Sequence, residues 1–189
     1  VVDYSAPNDT WSVVHAAFAK AMNDRKYPLY LYWGPFGHAN NHQRIMKVND
    51  LINSFDWLAV KKNEAYPAFS NASTNDPLPW PDQLGDKKSG QINAFFRWQN
   101  VSDSEAAAEV SLFLIQPAEL KTTFQIPMES TADVTLRRLQ TLKVTPGETM
   151  SWKFGTAGGE IQADSNGTVT IPRLKITATP VTLKISKSK

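Results

Sequence analysis

Leu29-Tyr30-Leu31-Tyr32-Trp33 is an unbroken apolar run of five residues between Pro28 and Gly34-Pro35. It is too short for a helix and is bounded by breakers, so it predicts a buried strand. Phe36-Gly37-His38 follows, and then a new helical pattern through Ile45, Val48, Leu51, Ile52 and Phe55. His38 is thereby placed on a loop at the end of a strand, where a side chain can face a cleft.

The residues before the run read as a strand and a helix. Val1-Val2 is the tail of a buried strand ending at Asp3, Pro7-Asn8-Asp9 supplies a turn with Asn8 or Asp9 as N-cap, and Trp11, Val14, Ala17, Phe18, Ala21 and Met22 repeat at helical steps. The order strand, helix, strand, helix predicts an α/β fold over residues 1–69, a parallel sheet covered by helices with its site at the carboxyl ends of the strands. Residues 57–69 carry mixed signals and close on an extended Tyr66-Pro67-Ala68-Phe69. Residues 70–90 form a linker or long ordered loop, with Pro77, Pro79 and Pro81 around a Trp80 that should pack down on something.

Residues 91–189 are β in character. Strands are expected at 92–98, 110–115, 134–144, 150–154, 161–163, 168–171, 174–176 and 181–185, with turns at Asn100-Val101-Ser102-Asp103, Pro146-Gly147, Gly158-Gly159 and Asn166-Gly167. The economical arrangement is an all-β sandwich of the Ig-like kind. Leu183 and Ile185 alternate with Lys184 and Ser186 as in an edge strand.

The chain has 189 residues, a formal net charge of +2 and no cysteine. Disulfides, thiolate zinc sites and thiol nucleophiles are thereby excluded, and the interspersed charges leave no footprint for nucleic acid or an anionic membrane. Arg137-Arg138 reads as a solvated or ion-paired couple. The β-rich, cysteine-free composition suggests a secreted or periplasmic protein. The chain opens on Val1 as if in mid-strand, and is expected to be the C-terminal part of a longer protein.

Asp3 and His38 lie one strand-helix-strand unit apart, which brings both strand ends to one sheet edge. A carboxylate there can accept the imidazole Nδ1 proton, fix its tautomer and stabilise the imidazolium. Asp3-Tyr4-Ser5-Ala6-Pro7 resembles the Asp-x-x-x-Pro after the penultimate strand of α/β-hydrolases, and Gly34-Pro35-Phe36-Gly37-His38 resembles their Gly-His loop, in particular in the prolyl-oligopeptidase-like and esterase branches. The resemblance implies that Asp3 is the triad acid and His38 the general base of a serine hydrolase acting on an ester or a peptide. Asp9 is already explained as a cap. No Gly-x-Ser-x-Gly elbow occurs in the chain, so the nucleophile would belong to a missing N-terminal hydrolase portion and the chain alone would be inactive.

Other motifs have plainer explanations. His38 and His42 have a metal-like spacing but no intervening glutamate, His15 falls on the polar side of its helix as a surface residue, and neither a metal nor a cofactor is expected. Asp164-Ser165-Asn166-Gly167 starts like a calcium loop and reads better as a hairpin turn. Trp80, Trp98 and Trp152 could form a sugar platform, although Trp98 and Trp152 fall within strands where aromatics fill cores. Asn71-Ala72-Ser73 and Asn166-Gly167-Thr168 fit a glycosylation sequon. The partner on the first reading is a small-molecule or peptide substrate, with oligomeric state open. The alternative is a non-catalytic β-sandwich module that binds carbohydrate or a partner protein.

Overall fold

The computed structural model describes residues 1–35, 49, 53–56, 59–80, 88–119 and 124–188. The strands in chain order are β1 (Val2–Ser5), β2 (Tyr30–Trp33), β3 (Tyr66–Ser70), β4 (Gly90–Ile92), β5 (Phe96–Asp103) and β6 (Ala107–Leu114). They continue with β7 (Glu129–Arg137), β8 (Thr149–Phe154), β9 (Ala157–Gln162), β10 (Thr170–Thr177) and β11 (Val181–Lys187). The α-helix α1 (His15–Asp24) joins β1 to β2, and Asn49 and Asn53 are also helical.

Three sheets result, in the orders β1-β2-β4, β10-β7-β3 and β5-β6-β11-β8-β9. The second and third are antiparallel throughout, and their inward side chains share one core. Val134 and Leu136 from β7, Phe69 from β3 and Ile171 and Ile176 from β10 meet Val110, Leu112, Leu183, Ile185 and Met150 there, a sandwich-like arrangement.

The expected α/β fold, the C-terminal part of an α/β-hydrolase parallel sheet with helices, is overturned. The protein is mainly antiparallel β. Parallel pairing is confined to β1 and β2, and the other neighbour of β2 is the antiparallel β4, so the sheet does not continue as a parallel one. The second expected helix falls almost wholly outside the described residues.

The unbroken apolar character of β2 has a clear cause. Tyr30 and Tyr32 face the sandwich core, while Leu31 and Trp33 face a smaller core made with Leu29, Ala19 of α1 and Trp80. Both faces of one strand are covered, so no position in it is polar. Trp80 is 1 % exposed and packs edge-on to Trp33 with ring centroids 6.0 Å apart, which fixes the proline-rich segment against α1 and β2. Asn93, at φ 57°, ends β4 and lets the chain leave for β5 in another sheet. Its Nδ2 donates to the carbonyls of Leu29 and Phe69, so the residue that breaks the expected strand 92–98 also ties β2 to β3.

Other expectations shift in detail. α1 begins at His15, because Thr10–Ser12 form a 3-10 turn in which the Ser12 hydroxyl donates to the Ala6 and Asp9 carbonyls. Its buried side is Ala16, Ala19 and Met22, while Val14 and Phe18 stay exposed. The strands expected at 168–171 and 174–176 are one strand, β10, with a bulge at Pro172-Arg173. Gly158 and Gly159 lie within β9, and Asn166-Gly167 turns the chain between β9 and β10, which lie in different sheets. β11 is central, between β6 and β8, because a sheet with one solvated face alternates in its inner strands too.

Candidate functional site

Asp3 sits in β1, and its expected partner His38 lies outside the described residues. The carboxylate of Asp3 meets a different histidine. Its Oδ2 is 3.3 Å from Nδ1 of His15, too poorly aligned for a hydrogen bond, while Oδ1 accepts from the Tyr4 backbone N–H at 2.9 Å. His15 is therefore half-buried, with its ring 5.9 Å from that of Trp80, and is not the surface residue expected. His42 also lies outside the described residues.

Trp80 is core, Trp98 packs on Phe55 with centroids 4.6 Å apart, and Trp152 lies partly buried on the sandwich core, so the three do not form one platform. Asp164 is committed to its own turn, accepting backbone N–H groups of Asn166 and Thr168 at 2.9 Å each.

A concavity lies elsewhere. A cleft of about 620 Å³ runs between the segment that leaves α1 and the end of β7. Tyr27 and Pro28 line it together with Tyr66, residues 136–139, residues 142–144 and residues 167–169. The volume suits a small ligand.

Two guanidinium groups dominate it. The Arg137 Cζ is 4.5 Å from the Tyr27 ring centroid and the Arg138 Cζ 5.5 Å from that of Tyr66, both within cation–π range. Neither forms an ion pair with a carboxylate among the described residues. Of the expected solvated or ion-paired couple, Arg138 is exposed and Arg137 partly exposed, and each is also laid on a tyrosine face. Lys143 lines the same cleft.

Backbone geometry holds this arrangement. Lys26, next to Tyr27, and Arg138 adopt φ of 56° and 54°, a left-handed conformation costly for residues with a Cβ. Lys26 turns the chain out of α1 and presents Tyr27, and Arg138 turns it out of β7. Strained non-glycine backbone of this kind concentrates at binding sites. The wall after Arg138 is pinned by Asp103, whose carboxylate accepts the backbone N–H groups of Gln140, Thr141 at 2.9 Å and Leu142 at 2.8 Å. Gly167, at φ 70°, closes the wall. A Cβ there would lie 2.5 Å from the Val144 carbonyl oxygen.

The local field is mixed but weighted to cations. Burial works against ionisation of Asp164, yet the N–H groups of Thr168 and Asn166, with Lys26 and Arg137, outweigh it and hold the carboxyl below its ordinary range. That carboxylate is occupied by its turn, which leaves Arg137, Arg138 and Lys143 facing the opening.

Arg97 is a cation of another kind. It is 3 % exposed, its Nη1 donates to the Ala94 and Phe96 carbonyls at 2.7 Å each, and Nη2 donates to the Ser54 hydroxyl. Burial lowers its pKa and raises those of Tyr30 and Tyr32 beside it. Its hydrogen bonds join interior backbone, which makes it part of the scaffold.

No family model, curated protein or solved structure matches the chain. The resemblance of Asp3-Tyr4-Ser5-Ala6-Pro7 and Gly34-Pro35-Phe36-Gly37-His38 to α/β-hydrolases is withdrawn. The sheet that would carry those motifs is absent from the described residues, which are mainly antiparallel β.

Proposed function

We propose that the protein is a non-catalytic binding module, a β-sandwich that recognises a carbohydrate or protein partner in the cleft between Tyr27 and the end of β7. One observation carries the proposal. Arg137 and Arg138 are oriented by tyrosine rings, have no carboxylate partner among the described residues, and face an opening large enough for a ligand. Guanidiniums held on rings, with the nearby Asp164 carboxylate bound into its own turn, are pre-organised for a ligand that brings its own charge. The neighbouring backbone is strained where the tyrosine and arginine are presented.

A panel of immobilised glycans and peptides, probed with the wild-type protein and a Tyr27→Ala/Arg137→Gln double variant, tests this reading. Retention of at least one ligand by the wild type, with tenfold or greater loss in a folded double variant, supports it. Equal retention by both proteins, or by neither, overturns it.

A further inference from the structure

The binding reading leaves the ligand open between carbohydrate and protein; the walls of the cleft narrow it. Resting on that reading, we infer that the cleft takes an acidic saccharide, a short chain of pyranose units carrying carboxylates. Leu136 and Leu142 line the cleft but are 6 % and 2 % exposed, so they offer almost no apolar surface to an incoming side chain. Tyr27, Arg137, Arg138 and Lys143 supply aromatic and cationic surface beside the partly exposed Met22, Pro28, Leu139 and Val144. Tyr27 is 42 % exposed, and the part of its ring left uncovered by Arg137 is a flat apolar face on which the C–H face of a pyranose can lie.

The cations define the rest of the ligand. A guanidinium is a planar fork that matches a carboxylate through two parallel N–H donors, and a fork already fixed on a ring loses little freedom when it binds. Arg137 and Arg138 are adjacent in the chain but rest on tyrosines from different segments, Tyr27 after α1 and Tyr66 in β3, so their charges are separated across the cleft. Two such groups suit repeated carboxylates along a chain better than one compact anion. Lys143, whose Nζ donates to the Gln140 carbonyl at 2.6 Å, adds a third charge to the lining. Thr168, also in the lining, supplies a hydroxyl donor and acceptor for sugar hydroxyls.

Calorimetric titration of the full chain tests this with three probes: trigalacturonate, a neutral galactose trisaccharide and an oligoglutamate peptide. Trigalacturonate is expected to bind at least tenfold more tightly than either other probe, to weaken as salt is raised, and to lose tenfold or more in Arg138→Gln and in Lys143→Gln. Equal binding of the neutral trisaccharide, lost in Tyr27→Ala, overturns the acidic preference and leaves the binding module standing. Preference for the peptide overturns the saccharide and likewise leaves the module. Absence of binding by all three probes overturns the acidic-saccharide inference; the glycan and peptide panel then decides whether the module reading falls with it.

Discussion

The guanidinium of Arg137 stands over the ring of Tyr27 with its Cζ 4.5 Å from the centroid, and this pair ties the end of β7 to the segment that leaves α1. The two parts of the molecule therefore share a wall of the cleft. A half-exposed cation–π pair contributes about 0.5–1 kcal/mol. Its larger effect is to fix the plane of the guanidinium.

Arg138 separates the stability of the cleft from its binding. At φ 54° a glycine relieves backbone strain that an arginine bears. Arg138→Gly should therefore leave thermal stability within about 1 kcal/mol of wild type, because the relief is offset by a more flexible unfolded chain. The same variant should weaken ligand binding at least tenfold. Melting curves and calorimetric titration of one preparation check both halves.

Asp103 gives the cleft wall a pH dependence with a definite sign. Burial alone would raise its pKa, but the backbone N–H groups of Leu142, Thr141 and Gln140, with Lys143, outweigh burial and hold the carboxyl below its ordinary range. A depressed folded value means the stabilisation is fully present above the unfolded pKa of about 3.9 and is lost as pH falls through the folded value. Denaturant melts between pH 7 and pH 2 should show this acid-sensitive component in the wild type and its loss in Asp103→Asn. The variant should also be weaker at pH 7 by about 1–2 kcal/mol, since hydrogen bonds to a charged acceptor are among the stronger ones.

Gly90 is packed against the smaller core. A Cβ on it would fall 2.2 Å from Cζ2 of Trp33, whose indole is 2 % exposed and has no room to turn. Gly90→Ala should destabilise the protein by about 3 kcal/mol through overpacking. Gly90→Ser should behave in the same way, and chemical denaturation measures both.

Trp80→Ala should cost about 3–5 kcal/mol, because a fully buried indole against Trp33 leaves a cavity. Proteolysis should then cut the proline-rich segment around it first, since that side chain anchors it.

The sandwich was largely legible because its strands alternate. Leu183 and Ile185 against Lys184 and Ser186 state a half-buried strand, yet alternation is the same in an edge and in a central strand, so the place of β11 was not readable. Residues 29–33 announced a buried strand for a sound reason, coverage on both faces, but the nature of the covering layers is a long-range fact. Helical periodicity favoured Val14 and Phe18 as the buried face. Close approach of α1 to β2 selected the small Ala16 and Ala19 instead. The cleft was missed because Arg137 and Arg138 rest on Tyr27 and Tyr66, partners distant in the chain. One local signal existed: from Val134 to Gly147 the sequence holds three cations and no carboxylate, so an ion-paired reading had no nearby partner.

The most direct test of the binding-module proposal is an amide NMR titration of the isotopically labelled protein with trigalacturonate, in the wild type and in Arg137→Gln/Arg138→Gln. A ligand-binding cleft predicts saturable shifts confined to residues around Tyr27, Tyr66, 137–144 and 167–169, absent in the double variant. Shifts centred on Asp3 and His15 instead, or saturable shifts in the cleft that persist unchanged in the double variant, would contradict it.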